Sequence, residues 1–246
     1  MDLKNPLYQK ENKNNEKIKS LSEITKDYIF TVDNFIKMCF ILMRFRANVP
    51  FILMGETGCG KTSLIRKLSE LQNNGECLLI IDNIHSGHNN EDIIQFIKQN
   101  VIPEAEKLNE IERQKKEKYD AVEEIYEEKK LWVFFNELNT CKSMDLLSEI
   151  ICKHSCQGES LPENIYFIGA VNPYRKSKQK KVGLKINKNE NYEEPDLIYT
   201  VNPLPHSLLN FVFDFGNLNP EDEKSYIKNI VEEKLKKKIY LNWRQN

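Results

Sequence analysis

The most constraining feature of this chain is a short glycine-rich segment, because three of its nine glycines fall within six residues: Gly55, Gly58 and Gly60. The segment at residues 55–62 reads GETGCGKT and matches the P-loop pattern G-x-x-x-x-G-K-T at every fixed position. Glycines are needed there because backbone N–H groups must converge on phosphate oxygens without side chains in the way. The sequence therefore predicts a loop that binds the phosphates of a nucleotide.

The segments on either side of this loop supply the context that the pattern requires. Residues 49–54 form a short apolar run typical of a buried parallel strand, and residues 61–71 carry apolar side chains at helical spacing. The start of that helix directs N–H groups and partial positive charge at the same anion. We expect ATP and Mg²⁺ as ligands, with Lys61 reaching the β- and γ-phosphates and the Thr62 hydroxyl binding Mg²⁺. The predicted nucleotide-binding residues are Gly55, Glu56, Thr57, Gly58, Cys59, Gly60, Lys61, Thr62 and Ser63.

Two polar residues, Asn136 and Glu137, follow directly after a third apolar run at residues 132–135. In P-loop ATPases this place carries Asp-Glu, where Asp holds the water shell of Mg²⁺ and Glu polarises the attacking water. Asn136 keeps a carbonyl oxygen for a magnesium-bound water but lacks the negative charge, a kind of change that typically costs about 10- to 100-fold. We expect Glu137 and Asn136 to be catalytic, with slowed turnover. The alternative is an ordinary turn at a strand end.

Asn172 follows the apolar run at residues 165–171 directly. A polar amide there can lie between the strand of Glu137 and the P-loop, where it would contact the γ-phosphate or the attacking water. Asn before Pro is otherwise a common turn residue. An arginine supplied to the site of a P-loop enzyme is worth about 10³ to 10⁵ in rate. Arg175 is the candidate, and an ordinary surface residue is the alternative.

The order of apolar runs predicts an α/β fold. Strands are expected at residues 49–54, 78–82, 132–135, 165–171 and 212–214, with helices between them. These helices are expected after a cap at Asp33 and at residues 61–71, 90–102, 104–130 and 143–152, with a last one from Asn219. Alternating strands and helices favour an open parallel sheet with helices on both faces.

The chain divides by composition into three parts. Residues 1–30 are expected to be a flexible lead-in, residues 31–216 the P-loop core, and residues 217–246 the start of a helical lid. A Lys- and Asn-rich segment without periodicity, residues 175–194, is expected to be a flexible insertion in the core.

Charge and composition exclude several classes of function. Lys and Arg number 36 and Asp and Glu 37, so the net charge is −1 and no basic footprint for nucleic acid is expected. The most apolar stretch, residues 35–54, is broken by three basic residues and a proline, so no membrane span is expected. The N-terminus lacks the apolar segment of a signal peptide. The six cysteines contain no C-x-x-C pair, and we expect a cytoplasmic protein with reduced thiols.

Four further segments carry a resemblance to a known family. Residues 135–141 (FNELNTC), 170–175 (AVNPYR), 204–208 (LPHSL) and 213–216 (FDFG) resemble the AAA+ modules of mysterin, a giant AAA+ protein that is also a RING-type E3 ubiquitin ligase. The resemblance covers about residues 30–240. It implies a P-loop NTPase fold of the AAA+ type, ATP as ligand, neighbouring AAA+ modules as partners in cis or in trans, and a protein as substrate.

The chain also departs from that family. Asn136 replaces the Asp of the family, no Cys/His zinc pattern is present, and one helix follows Gly216 where a lid is a small helical bundle. The leading hypothesis is an ATP-hydrolysing AAA+ module with a truncated C-terminal lid. The alternative is a nucleotide-locked structural module that binds ATP and hydrolyses it poorly. A P-loop kinase or GTPase is disfavoured, since no guanine-reading motif accompanies the P-loop and since Glu137 and Asn172 occur together.

Overall fold

The computed structural model describes residues 28–118, 129–174 and 201–216, together with residues 223, 224, 226–228, 231 and 235, which are helical. The insertion at residues 175–194 and Arg175 lie outside the described residues, as do residues 1–27 of the predicted lead-in and most of the predicted lid. The division into three parts stays a prediction. Within the described part of the chain, no helix combines the length and the apolar character that crossing a membrane demands.

Helices and strands alternate over most of the described chain. The helices are α1 (Val32–Arg46), α2 (Lys61–Gln72), α3 (Asn90–Phe96), α4 (Ile102–Lys118), α5 (Met144–Lys153) and α6 (His206–Leu209). The strands are β1 (Phe51–Met54), β2 (Leu79–Asn83), β3 (Leu131–Asn136), β4 (Ser155–Cys156), β5 (Glu159–Ser160), β6 (Ile165–Val171) and β7 (Val212–Asp214).

Five strands form one parallel sheet in the order β2-β3-β6-β1-β7. The P-loop strand β1 therefore lies between β6 and β7, and β6 separates it from β3. In register, Met54 at the end of β1 pairs with Val171 at the end of β6. Because all five strands run the same way, the segments after β1, β3 and β6 meet at one edge of the sheet. The predicted α/β fold is confirmed.

Side chains of the central strands alternate between two apolar cores, one on each face of the sheet. In β3, Val133 and Phe135 belong to the core packed against α3, α4 and α5. Trp132 and Phe134 belong to the core packed against α1 and α2. All four side chains are fully buried. Such near-continuous apolar strands are typical of a sheet covered on both faces, as predicted.

The structure differs from the sequence expectation at the start of α1. Thr31, not Asp33, is the N-cap, and its hydroxyl accepts a hydrogen bond from the Asn34 N–H at 3.1 Å. Asp33 lies in the first turn, where its carboxylate pairs with Lys37 at 2.5 Å. An acidic side chain in the first turn is favoured by the helix dipole, so Asp33 stabilises the N-terminal end of α1 through its charge and not as the cap.

The helices predicted at residues 90–102 and 104–130 are joined. A π-helical turn, Ile97–Val101, connects α3 to α4, in which the Ile102 N–H donates to the Ile97 carbonyl. Pro103 explains this turn, since proline has no N–H and its ring crowds the carbonyl four residues earlier. The helix is described as far as Lys118.

A small hairpin, β4 with β5, was not predicted. It follows His154, which ends α5 in the left-handed region at φ 53°. A second left-handed residue, Gln157 at φ 54°, lies in its turn, and left-handed backbone is what two-residue hairpin turns require. The His154 ring bonds to the Pro162 carbonyl at 2.8 Å and packs edge-on against Phe167.

Candidate nucleotide site

The P-loop connects β1 to α2 at the carboxyl edge of the sheet. Gly58 and Gly60 adopt φ values of 86° and 94°, a region that L side chains rarely enter, so the glycines at these two positions are required by backbone geometry. Gly60 is also the N-cap of α2. Its cap carries no side-chain hydrogen bond, and the first turn of α2 has no acidic residue. The helix start is thus suited to an anion rather than to a side-chain cap.

Lys61 is buried in the loop that it terminates, with 6% of its surface exposed. Its ammonium donates to the carbonyl oxygens of Gly55 at 2.7 Å and Glu56 at 2.9 Å, and the Cys59 sulfur lies 3.6 Å away. The backbone of the loop therefore fixes one positive charge inside it. The neighbouring Thr62 is half-buried and Ser63 is exposed, both in the first turn of α2.

A segment after β7 packs against the back of the P-loop. Phe215 is 2% exposed, and its N–H donates to the Met54 carbonyl at 2.7 Å. A Cβ on Gly55 would stand 3.1 Å from the Phe215 Cβ and 3.1 Å from the Cys59 sulfur. The close packing of these two side chains therefore favours glycine at position 55. The packing also gives residues 213–216, one of the four resembling segments, a structural role beside the loop.

Glu137 follows β3 directly and has a strained backbone conformation. Its backbone is left-handed at φ 57°, which is uncommon for a residue with a side chain and costs on the order of 1–3 kcal/mol. A short 3₁₀ helix, Leu138–Thr140, follows, and the Thr140 N–H donates to the Glu137 carbonyl at 2.9 Å. Strain of this kind persists where many surrounding contacts hold the residue in place. The left-handed backbone directs the Glu137 side chain toward the P-loop.

The Thr57 hydroxyl joins three predicted site residues in one place. It lies 3.4 Å from Glu137 Oε1 and 3.3 Å from Asn172 Oδ1. Thr57 belongs to the P-loop, Glu137 follows β3 and Asn172 follows β6, so the contact joins three separate segments. A carboxylate and an amide thus converge on the mouth of the loop that holds Lys61.

Asn136 is the last residue of β3 and lies on the side of Thr57, Glu137 and Asn172 that is farther from β1. Its amide donates to Asn83 Oδ1 at 3.1 Å, at the end of the neighbouring strand β2. Asn136 and Thr62, the predicted Mg²⁺ residues, offer an amide and a hydroxyl oxygen. The Glu137 carboxylate follows Asn136 in sequence and lies at the P-loop, 3.4 Å from the Thr57 hydroxyl. Oxygen donors of this kind suit a Mg²⁺ that keeps its waters and binds phosphate oxygens, so the residues fit the ion.

A second acid, Asp82, lies near the end of β2 and faces away from Asn136. It is buried, and within the described residues its Oδ2 atom has no hydrogen-bond partner. His88 Nε2 lies 3.8 Å from Oδ1. Burial raises the pKa of the Asp82 carboxyl above its usual range, and the nearby His88 and His85 oppose that shift. Across the described ranges, no group of three or more His, Cys, Asp or Glu is arranged to hold a metal ion by itself.

Sequence reasoning missed a buried amide network behind Glu137 and Asn172. The Asn139 side chain is fully buried and bonds to the backbone of Asn172 at 2.9 and 3.0 Å. Asn202 donates from its side chain to the Cys141 carbonyl at 2.7 Å. One signal was available, since Val-Asn-Pro occurs twice, at residues 171–173 and 201–203, and both asparagines contact the turn after β3.

The cysteines contribute no further chemistry here. All six are free thiols in the structure. Burial raises the pKa of the Cys141, Cys152 and Cys156 thiols, so these side chains are poor nucleophiles.

Together, the sheet order, the P-loop after β1 and the polar groups after β3 and β6 define a P-loop NTPase domain of the AAA type. A family model described as the RNF213 AAA domain matches residues 28–175. The chain belongs to this RNF213 family, which is also called mysterin, so the resemblance found in the sequence is confirmed.

Three curated relatives share most of this chain. E3 ubiquitin-protein ligase rnf213-beta of Danio rerio is 36% identical over 227 residues, which cover 85% of this chain. E3 ubiquitin-protein ligase RNF213 of Mus musculus is 34% identical over 224 residues (83% of this chain), and that of Homo sapiens 33% over 223 residues (84%). The matched part spans 4% of the length of each relative.

Proposed function

We propose that this chain is an AAA+ module that binds Mg·ATP and hydrolyses it. The observation that carries the proposal is the convergence of Glu137 and Asn172 on Thr57, at 3.4 and 3.3 Å, in the loop that buries Lys61. A base, a polar amide and a phosphate-binding cation at one loop are the parts that hydrolysis of a nucleoside triphosphate requires.

Each residue has one role in this proposal. The loop N–H groups and Lys61 hold the phosphates, with the Lys61 charge on the β- and γ-oxygens. Glu137 accepts a proton from the attacking water, and Asn172 orients that water or the γ-phosphate. Thr62 binds Mg²⁺ directly and Asn136 binds it through water. When bound, the ion would neutralise charge on the phosphate oxygens.

The second candidate is a nucleotide-locked structural module, and one contact favours it. Asn136 is neutral at the position where P-loop ATPases carry Asp. Its amide also donates to Asn83 at 3.1 Å, which ties it to the neighbouring strand β2. Such a site would hold nucleotide while turning it over slowly. The two candidates share the binding residues and differ only in rate.

The wider setting is proposed from the relatives, whose printed names are those of E3 ubiquitin-protein ligases. We infer that the chain works as one AAA+ unit of a ligase of this kind in the cytoplasm. Its partners would be neighbouring AAA+ modules in cis or in trans, with a protein as substrate and no nucleic acid. Arg175 stays the candidate for an arginine that acts on a neighbouring site.

The test compares Mg·ATP turnover of the 246-residue chain with that of its Glu137→Gln variant, which keeps the shape of the side chain and removes the base. Nucleotide affinity is measured for both. We expect both to bind ATP, and the variant to lose at least about 10²-fold in turnover, as for a lost general base. If neither turns over while both bind, the nucleotide-locked module replaces the ATPase. If neither binds, both candidates fail.

A further inference from the structure

The Asn139 side chain, in the 3₁₀ helix after β3, forms two hydrogen bonds to the backbone of Asn172, the residue that follows β6. Its Nδ2 donates to the Asn172 carbonyl at 2.9 Å, and its Oδ1 accepts from the Asn172 N–H at 3.0 Å. A backbone N–H can only donate and a carbonyl can only accept, so this pair fixes which way the Asn139 amide points. Since the side chain is fully buried, water does not compete for either bond.

The turn that carries Asn139 is held from the other side as well. The Asn202 N–H donates to the Asn139 carbonyl at 2.7 Å, and the Asn202 side chain donates to the Cys141 carbonyl at 2.7 Å. Asn139 lies two residues after Glu137, in the 3₁₀ helix that begins there. The Asn139 side chain therefore ties the backbone of Asn172 to the turn that begins at Glu137.

We propose that Asn139 is a positioning residue for nucleotide recognition, acting through Asn172. Because both backbone groups of Asn172 are held, the starting point of its side chain is fixed. In this position its Oδ1 lies 3.3 Å from the Thr57 hydroxyl in the P-loop. Asn139 thereby sets whether the Asn172 amide meets the γ-phosphate. This inference rests on the proposed function, because it assumes that ATP binds at residues 55–63.

The same strand offers a matched control at its opposite end. Asn164 precedes β6 as Asn172 follows it, and its side chain is also buried, at 9% exposure. It donates to the Ala105 carbonyl at 2.8 Å and accepts from Asn109 at 3.2 Å. Asn164→Ala removes a buried amide from the same strand without touching the nucleotide site.

The readout is discrimination of the γ-phosphate, measured as the Kd for ADP divided by the Kd for a non-hydrolysable ATP analogue, both with Mg²⁺. We expect Asn172→Ala and Asn139→Ala each to lower this ratio by about tenfold, as for one hydrogen bond to a charged group. The Kd for ADP should stay within about twofold of the parent value, and Asn164→Ala should leave the ratio unchanged. Because Asn139 acts through Asn172, the double variant should lower the ratio no further than either single one.

The inference is overturned if Asn139→Ala keeps the parent ratio, if the effects of the two substitutions add, or if Asn172→Ala keeps the ratio. A parent chain that binds neither nucleotide instead overturns the proposed function itself. Thermal melting of each variant checks that it is folded. Should Asn139→Ala fail to melt cooperatively, Asn139→Ser is measured in its place. Its short side chain cannot reach both backbone groups of Asn172, so the same loss is expected.

Discussion

The Leu138 side chain occupies the space that a Cβ atom on Gly169 would need. Gly169 lies in the middle of β6, in register with Phe135 of β3, and Leu138 follows Glu137 in the adjacent turn. The close approach lets the turn that begins at Glu137 pack directly against the sheet. The absence of a side chain at residue 169 is therefore a condition for the position of Glu137.

Gly169→Ala should destabilise the chain and displace that turn. We expect a loss of about 1–3 kcal/mol in the free energy of unfolding, the usual cost of overpacking a core, together with reduced ATP turnover. Urea denaturation measures the first and steady-state turnover the second. Gly87→Ala is the control, since the nearest atoms to its Cβ lie at 3.3 Å in the flexible His85 side chain. Equal stability of the Gly169 variant and the parent would show that Leu138 can move aside.

Lys61→Ala should remove most of the affinity for nucleotide. The ammonium is held by the carbonyls of Gly55 and Glu56 at the centre of the loop, and a charge-assisted hydrogen bond is worth about 1.5–3 kcal/mol, so we expect at least a tenfold rise in the Kd for ATP. Titration calorimetry measures it. Lys67→Ala serves as the control, because Lys67 lies on the same helix and pairs with Glu70 at 2.6 Å. Similar Kd values for the two variants would place the nucleotide elsewhere.

Asn136→Asp tests how much the neutral amide limits catalysis. The substitution restores a negative charge near the Mg²⁺ residues and gives up the bond to Asn83. If the chain is an ATPase that tolerates Asn136, turnover should change by less than about tenfold, while Mg²⁺ affinity rises modestly. Turnover over a Mg²⁺ series measures both. A gain above about 100-fold would instead support the nucleotide-locked module.

Asp82→Asn should stabilise the chain at neutral pH. Burial raises the folded-state pKa of this carboxyl, so the folded chain holds its proton more tightly than the unfolded chain does. Stability then falls as the pH rises from the unfolded pKa, about 3.9, through the folded pKa. The variant lacks this loss, so we expect it to melt a few degrees higher than the parent at pH 7, with a difference that shrinks toward pH 4.

The measurement is thermal unfolding of the parent and the variant across that pH interval. A variant less stable than the parent at pH 7 would mean that the contact between Asp82 and His88, at 3.8 Å, outweighs the cost of burial.

The local pattern was sufficient to predict the five strands of the parallel sheet and the P-loop. The apolar runs that became β1, β3 and β6 are buried on both faces of the sheet, and such strands show as continuous apolar segments in any single sequence. The P-loop was predictable for a related reason, since the positive φ angles of its backbone at Gly58 and Gly60 require glycine locally. Both features depend on neighbours in the chain and not on the order of strands in space.

The supporting contacts of the site could not be predicted in the same way. Asn139 and Asn172 are 33 positions apart, and they meet only because β6 pairs with β3. Thr57 and Glu137 are 80 positions apart, and they face each other across β6. No spacing rule along the chain describes these pairs. The π-helical turn Ile97–Val101 could not be predicted either, because residues 90–102 and 104–130 were expected to form two separate helices.

Tyr174 and Asn202 mark the two sides of the interval at residues 175–200. The Tyr174 hydroxyl donates to the Asn202 carbonyl at 2.9 Å and accepts from the Leu204 N–H at 3.0 Å, so the chain leaves and rejoins the core at one point. Closing a longer loop across such a fixed gap costs little, roughly 0.6 kcal/mol for each doubling of its length. Evolution can therefore lengthen, shorten or rewrite this interval among relatives while the nucleotide site keeps its shape.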